Sequence, residues 1–274
     1  MTQRSAWNQA SDAYNSLHED SLSLIALATR KVSALLGAVA GLDILEIGCG
    51  AGKNCIKLAR QGARVTGVDV SDAQIALAQQ RMDEAGAPVR LLRADAADLS
   101  PLPDGSFDVI LAIYAFQYVA QMAACLAECT RLLRPGGRLI FALDHPIRAA
   151  FWDEEMQEES VLPARSYFDE NPLRWNFTDT GISMTSYHHT LEWWFSSLHE
   201  EGFVVSDLRE LPLPKGWEDG PDVDEYTRDI AAFLPQVMVM EARKQENGST
   251  HLVSIRRETA PAFRSDAFST SAGL

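Results

Sequence analysis

From Leu42 to Leu143, short apolar runs alternate with segments of helical spacing. Asp43-Ile44-Leu45-Glu46-Ile47 ends in glycines and predicts a buried strand, and Lys53–Arg60 carries Ile56, Leu58 and Ala59 at helical spacing. Ala63–Asp69 is β-branched and closes on an acid. Ser71 then reads as the N-cap of an alanine-rich helix, Asp72–Glu84. Val89–Leu92, Phe107–Ile113 and Arg138–Leu143 are a third, fourth and fifth strand; helix Met122–Leu133 separates the last two, and Arg134-Pro135-Gly136-Gly137 stops it. Strands alternating with helices of this length predict βαβ units and a parallel sheet covered on both faces.

Past His145 the texture changes. Residues 146–186 are rich in aromatics and acids and show no clean period. A helix is expected over Thr190–Glu200, with Leu191, Trp194, Phe195 and Leu198 on one face, and strands over Phe203–Arg209 and Val237–Ala242. Upstream, an amphipathic helix is expected over Leu22–Leu36. The acids Asp153, Glu154, Glu155, Glu158 and Glu159 read as a solvated helix face without a catalytic role.

Composition narrows the function. The chain has 274 residues, 46% hydrophobic and 23% charged, as expected of a globular protein. No stretch approaches the roughly 20 apolar residues of a membrane helix, and the first residues lack the pattern of a signal peptide. No membrane partner and a cytoplasmic location are therefore expected. Cys49, Cys55, Cys125 and Cys129 have neither zinc nor redox spacing, so no metal is expected and the cysteines read as packing residues. A net charge of −14, with no clustered Lys and Arg, speaks against nucleic acid as a partner.

The sharpest motif is Glu46-Ile47-Gly48-Cys49-Gly50-Ala51-Gly52, between the first strand and the next helix. Glycines there let the backbone turn and approach a ligand, and the helix start offers N–H groups. Asp69, ending the second strand, is placed to accept ribose hydroxyls or to cap the following helix. Both a dinucleotide and a nucleoside fit this geometry. Lys53 stands where the dinucleotide fingerprint needs glycine.

With these motifs the sequence resembles the class I S-adenosylmethionine (SAM)-dependent methyltransferases over most of residues 7–243. The resemblance implies SAM as cofactor. The loop with Glu46, Gly48, Gly50 and Gly52 would meet its methionine end, Asp69 its ribose and Val70 its adenine. Asp95-Ala96 would read the adenine edge, and Ile113 would stand near the methyl group. Arg134–Leu139 matches the turn before strand five. Gln117 stands where many relatives carry a histidine, so it is a cofactor-binding candidate but no base. Tyr14 and Trp7 resemble a mobile cover, the tyrosine meeting the cofactor and Trp7 the substrate.

The implied fold is a doubly wound α/β fold with a seven-stranded, mostly parallel sheet of Rossmann-like type. It divides into an N-terminal helical lid (1–40), a SAM-binding core (41–145) and a substrate-cap insertion after strand five (146–190). A C-terminal helix and strands follow (191–243), then a disordered tail (244–274).

On the acceptor side, His145, His188 and His189 are the candidate bases, with His18 behind them. Each has an alternative role: His145 in the turn before Pro146, and His188 or His189 capping the helix at Thr190. Trp7, Tyr118, Trp152, Tyr167 and Trp175 are the candidate substrate contacts, suited to a flat aromatic or heterocyclic molecule. The expected activity is methyl transfer to O, N or C of a small molecule, of secondary-metabolite type, by a monomer or homodimer. Two alternatives stay open: an NAD-dependent oxidoreductase, and a SAM-binding protein with chemistry other than methyl transfer.

Overall fold

Apolar side chains on both faces of its strands put this sheet between two cores. The structure, a computed structural model, describes residues 2–17, 23–177, 180–216, 231 and 233–246. The strands β1 (Asp43–Ile47), β2 (Arg64–Asp69), β3 (Val89–Arg93), β4 (Phe107–Ile113) and β5 (Leu133–Asp144) are mutually parallel. β10 (Phe203–Leu211) and β11 (Val237–Lys244) complete one seven-stranded sheet in the order β10-β11-β5-β4-β1-β2-β3, with β11 antiparallel to both neighbours. Alternate residues face opposite cores, as the strand period requires. Leu139, Phe141, Met238 and Met240 join one cluster, while Ile140, Val237 and Val239 join the other.

Helices α2 (Leu24–Leu36), α3 (Lys53–Arg60) and α4 (Asp72–Ala85) contribute to the second cluster, and α5 (Met122–Leu132) and α6 (Leu191–Glu200) to the first. Helix α4 starts where the sequence predicts, with Ser71 accepting from the Gln74 N–H at 3.2 Å. Helix α2 starts at Leu24 rather than Leu22, because Ser23 caps it by accepting from the Ala26 N–H at 3.1 Å. Such a cap contributes about 1 kcal/mol. A further helix, α1 (Gln3–Leu17), precedes it.

Three expectations need correction. The Arg134–Gly137 turn is part of β5: Leu133 already pairs with Phe107, and a register shift between Phe107 and Val109 absorbs residues 134–137. Pro135, without an N–H, and Gly136 at φ +74° suit such a bulge. Residues 152–159 are no helix. Trp152–Asp153 (β6) pairs with Glu158–Glu159 (β7), Asp153 turns the chain by accepting from the N–H groups of Glu155 and Met156, and Glu159 is buried. The seemingly aperiodic stretch also contains a hairpin, β8 (Leu173–Phe177) with β9 (Ile182–Ser186).

The expected disordered tail lies, from residue 247 onward, outside the described residues, as does His18. No helix among the described residues is long and apolar enough to cross a membrane.

Chain order reverses at β1, which lies between β2 and β4. In open α/β sheets, ligands bind beyond the carboxyl ends of the strands at such a switch point.

Candidate functional site

Beyond β1 the backbone turns at Gly48, where φ is +68°, and a Cβ there would run into the Cβ of Ala115. Only glycine fits both demands. Asp69, at the end of β2, ties this loop down: its Oδ2 accepts from the Gly50 N–H and its Oδ1 from the Ser71 N–H, both at 2.9 Å. Burial pushes its carboxyl pKa up, against the pull of these backbone donors. Asp95, two residues past β3, accepts from the Ala97 N–H through Oδ1 at 2.9 Å.

Gly48, Gly50, Asp69, Val70, Asp95, Ala96, Ile113 and Tyr14 all line one cavity of about 850 Å³. Eight of the sequence-derived cofactor candidates are thus brought together. Trp7, expected at the substrate, lines this same cavity, as do Gln3 and Gln74, which the sequence did not single out.

The remaining three cofactor candidates stand elsewhere. Glu46 is buried beneath the loop, where it accepts from Asn54 Nδ2 at 3.0 Å and from Cys55 Sγ at 2.9 Å. Burial pushes its carboxyl pKa up as well. It holds the start of α3 against β1 and does not line the cavity. At Gly52 an added Cβ would lie 2.7 Å from Met82 Cε and 3.2 Å from Ala78 Cβ, so this glycine lets α3 approach α4 closely. Gln117 lines a second cavity.

That second cavity, about 1100 Å³, lies beside the first and shares Tyr118 with it. The Tyr118 ring meets Trp7 at 4.9 Å and Trp175 at 6.3 Å between centroids. His145, His188, His189, Trp152 and Trp175 line the second cavity. Tyr167 does not: it sits behind His188, accepting His188 Nε2 on its carbonyl at 2.7 Å and the Leu191 N–H on its hydroxyl at 2.9 Å.

The three histidines differ in what their rings can do. His145 has both nitrogens engaged. Nδ1 accepts from the Ile147 N–H at 3.2 Å, so Nε2 carries the proton and donates to Glu210 at 2.8 Å. This is the turn-holding arrangement that was its alternative role. His188 donates through Nε2 to a carbonyl, which fixes the tautomer and leaves the Nδ1 lone pair for another proton. His189 stacks on Trp193 at 3.7 Å. Burial lowers the pKa of all three rings, that of His189 to about 4 with help from neighbouring His188. Thr190, not either histidine, caps α6.

The sequence did not single out Asp144, Arg148 and Glu159, which also line this cavity. Arg148 donates to Asp144 at 2.7 Å and to Glu159 at 2.6 Å. Burial opposes its charge, but the two carboxylates outweigh that and hold the guanidinium protonated. Helix α1 covers the first cavity and is anchored on two sides. Asn8 Oδ1 accepts from Ser71 Oγ at 2.7 Å, and Arg4 pairs with Asp72 at 2.6 Å on α4; Gln3 donates to the Thr185 carbonyl of β9 at 2.6 Å. Among the described residues, no group of three or more His, Cys, Asp or Glu side chains is placed to hold a metal ion.

Residues 45–141 match a family described as "Methyltransferase domain". A ubiquinone biosynthesis O-methyltransferase of Rhodopseudomonas palustris is 34% identical over 203 residues, 73% of this chain and 74% of that protein. One of the same description from Maricaulis maris is 40% identical over 111 residues, 40% of this chain and 44% of its own length. The match thus spans less than half the length of the Maricaulis protein. Among solved structures, an S-adenosylmethionine-dependent methyltransferase from Mesorhizobium loti is 26% identical with a TM-score of 0.64, covering 78% of this chain and 96% of that one.

Proposed function

This chain belongs to the class I SAM-dependent methyltransferases, and from that membership we propose that it transfers a methyl group to O, N or C of a small aromatic or heterocyclic molecule seated in the second cavity. The observation that carries this reading is the pair of cavities meeting at Tyr118, one floored by the glycine loop and the other walled by aromatic rings.

The residues present fit the cofactor. Gly48 and Gly50 open the cavity floor to its methionine end, and Asp69 has oxygen lone pairs left for ribose hydroxyls beside its two backbone donors. Asp95 and the Ala96 N–H would read the adenine, with Val70 packed against it and Ile113 near the methyl group. When bound, the cofactor supplies a sulfonium-activated methyl group for in-line displacement.

The protein's own work is alignment, water exclusion and proton removal. Trp7 and Tyr14 on α1 close the first cavity, and Tyr118 orients both ligands at the junction. His188 is the candidate base, held by the Tyr167 carbonyl with Nδ1 unprotonated. His145 keeps the turn over residues 146–151 in place, and Trp152 and Trp175 stack on the acceptor.

The net charge of −14 supports a reading without nucleic acid as partner, and we take the enzyme as cytoplasmic and as a monomer or homodimer.

Calorimetry with SAM and with NAD tests the cofactor assignment. SAM is expected to bind, and Asp69→Ala to weaken it at least tenfold. NAD binding without SAM binding, or full SAM affinity in the variant, sinks the assignment. The product is expected to gain the mass of one CH₂ with release of S-adenosylhomocysteine (SAH); an unmethylated, rearranged product would overturn methyl transfer.

A further inference from the structure

Helix α4 brings Gln74 to the wall of the first cavity, three residues past its Ser71 cap. The side chain is 2% exposed, and one arm of its amide is held by the covering helix. Asn15 Nδ2, on α1, lies 2.8 Å from the Ser11 carbonyl and 3.0 Å from Gln74. A carbonyl can only accept, so the Asn15 atom that meets it must be the NH₂ group. That NH₂ can only donate, so the Gln74 atom it meets must be the oxygen. The Gln74 amide thus has a fixed sense: Oε1 faces α1, and the other arm is the Nε2 donor.

Nε2 meets no acceptor among the described residues, yet protein does not seal it in, and the space that Gln74 lines is the cavity.

A second observation shows what lies beside that donor. Gln74 and Asp69 are tied to the same two residues. The Gly50 N–H donates to Asp69 Oδ2 at 2.9 Å, and a Cβ built on Gly50 would lie 3.9 Å from Gln74 Oε1. Ser71 donates its N–H to Asp69 Oδ1 and accepts the Gln74 N–H on its hydroxyl. A carboxylate that can only accept therefore stands next to an amide arm that can only donate. A ribose diol suits both, because its hydroxyl hydrogens meet the one and its oxygen lone pairs the other.

Resting on the assignment of this cavity to SAM, we infer that Gln74 is a second ribose-holding residue. Its Nε2 donates to a hydroxyl oxygen of the diol that Asp69 accepts from, and Asn15 keeps the amide turned that way. A buried donor left unmet is unfavourable, so a nucleoside that lacks this hydroxyl is disfavoured. Ribose recognition is thereby tied to the seating of α1. Without Asn15 the amide is free to turn and set Oε1, an acceptor, beside the Asp69 carboxylate.

Titration calorimetry on the full chain, with SAH and with its 2′-deoxy and 3′-deoxy analogues, tests this. Gln74→Met, which nearly keeps the volume and removes the donor, is expected to bind SAH about tenfold more weakly than the wild type. For one of the two deoxy analogues the wild type and the variant are expected to agree within about twofold, because the hydroxyl that Gln74 meets is gone. Undiminished SAH affinity in the variant, or the same loss with both analogues as with SAH, overturns the inference.

Asn15→Asp offers Gln74 an acceptor in place of a donor and so turns its amide. It is expected to weaken SAH by about threefold or more in the wild type and to add nothing in Gln74→Met. An equal Asn15→Asp loss in both backgrounds overturns the orienting role. Should Gln74→Met fail to fold, as circular dichroism would show, Asn15→Asp carries the test: its loss must vanish with one deoxy analogue, or the inference falls. Failure of the wild-type chain to bind SAH would instead strike the cofactor assignment, so the two failures are distinguishable.

Discussion

Tyr167 offers His188 only a carbonyl, and a carbonyl can do nothing but accept. The ring must then carry its proton on Nε2, and Nδ1 is the basic nitrogen. Burial lowers the ring's pKa below the usual 6.5, more than the Tyr167 carbonyl raises it. The neutral base therefore persists as pH falls through 6.5, and the acid limb of kcat/KM is expected below that value. His188→Gln is expected to lower kcat by about 10²–10⁴-fold, erase that limb and leave SAH affinity unchanged. Steady-state rates across pH 5–9 check it; an unchanged limb would remove His188 from the chemistry.

The same scale shows what the sequence made legible. Gly48, Gly50, Asp69 and Asp95 were readable because each sits in a short local pattern at the end of a strand. Arg148 and Glu159 were not, because their importance arises only when residue 148 in one turn folds back on residue 159 of a hairpin. Glu46 was placed with the cofactor by its position in the motif. Its side chain instead turns under the loop, a choice made by Asn54 and Cys55.

Among the elements, the sheet strands were legible because buried parallel strands are near-continuous apolar runs. The hairpin β8–β9 was not. Leu173-Arg174-Trp175-Asn176-Phe177 does alternate, but five residues flanked by acids, Asn and Pro give a weak period. Its burial depends on α1, whose Ala6 and Ala10 pack with Phe177 and Met184. Helix α1 is held to α4 by Arg4 on Asp72, by Asn15 on Gln74, and by Asn8, whose Oδ1 accepts from Ser71 Oγ and, at 3.3 Å, from the Ala73 N–H. Asn8→Ala is expected to raise the SAH dissociation rate several-fold in stopped-flow measurements and to shift Tm little. An unchanged rate would mean that α1 does not retain the cofactor.

Across the whole molecule, stability and function lie at opposite ends of the strands. At the end where β1, β2, β4 and β5 begin, Asp43 takes Arg64 at 2.6 Å and Arg134 at 2.8 Å, and Arg134 reaches Asp108 at 2.5 Å. Arg64 first, against burial and then with Arg134, holds the Asp43 carboxyl at about 2. These groups are exposed or partly exposed, so water and salt screen the network and its contribution to stability is small. Arg134→Ala is expected to lower Tm by about 2–4 °C and to leave the SAH dissociation constant as it is. Calorimetry on the variant checks both, and a weakened SAH affinity would show that the two ends are coupled.

Helix α1 leans on α4 along one flank and on β9 along the other. A beam resting on two supports cannot be lifted from one without slackening at the second. The helix walls the first cavity through Gln3, Trp7 and Tyr14, so slack at either support loosens the same wall. Cofactor exchange is then expected to need both supports to give way together, so a change at the β9 contact is felt at the α4 contact.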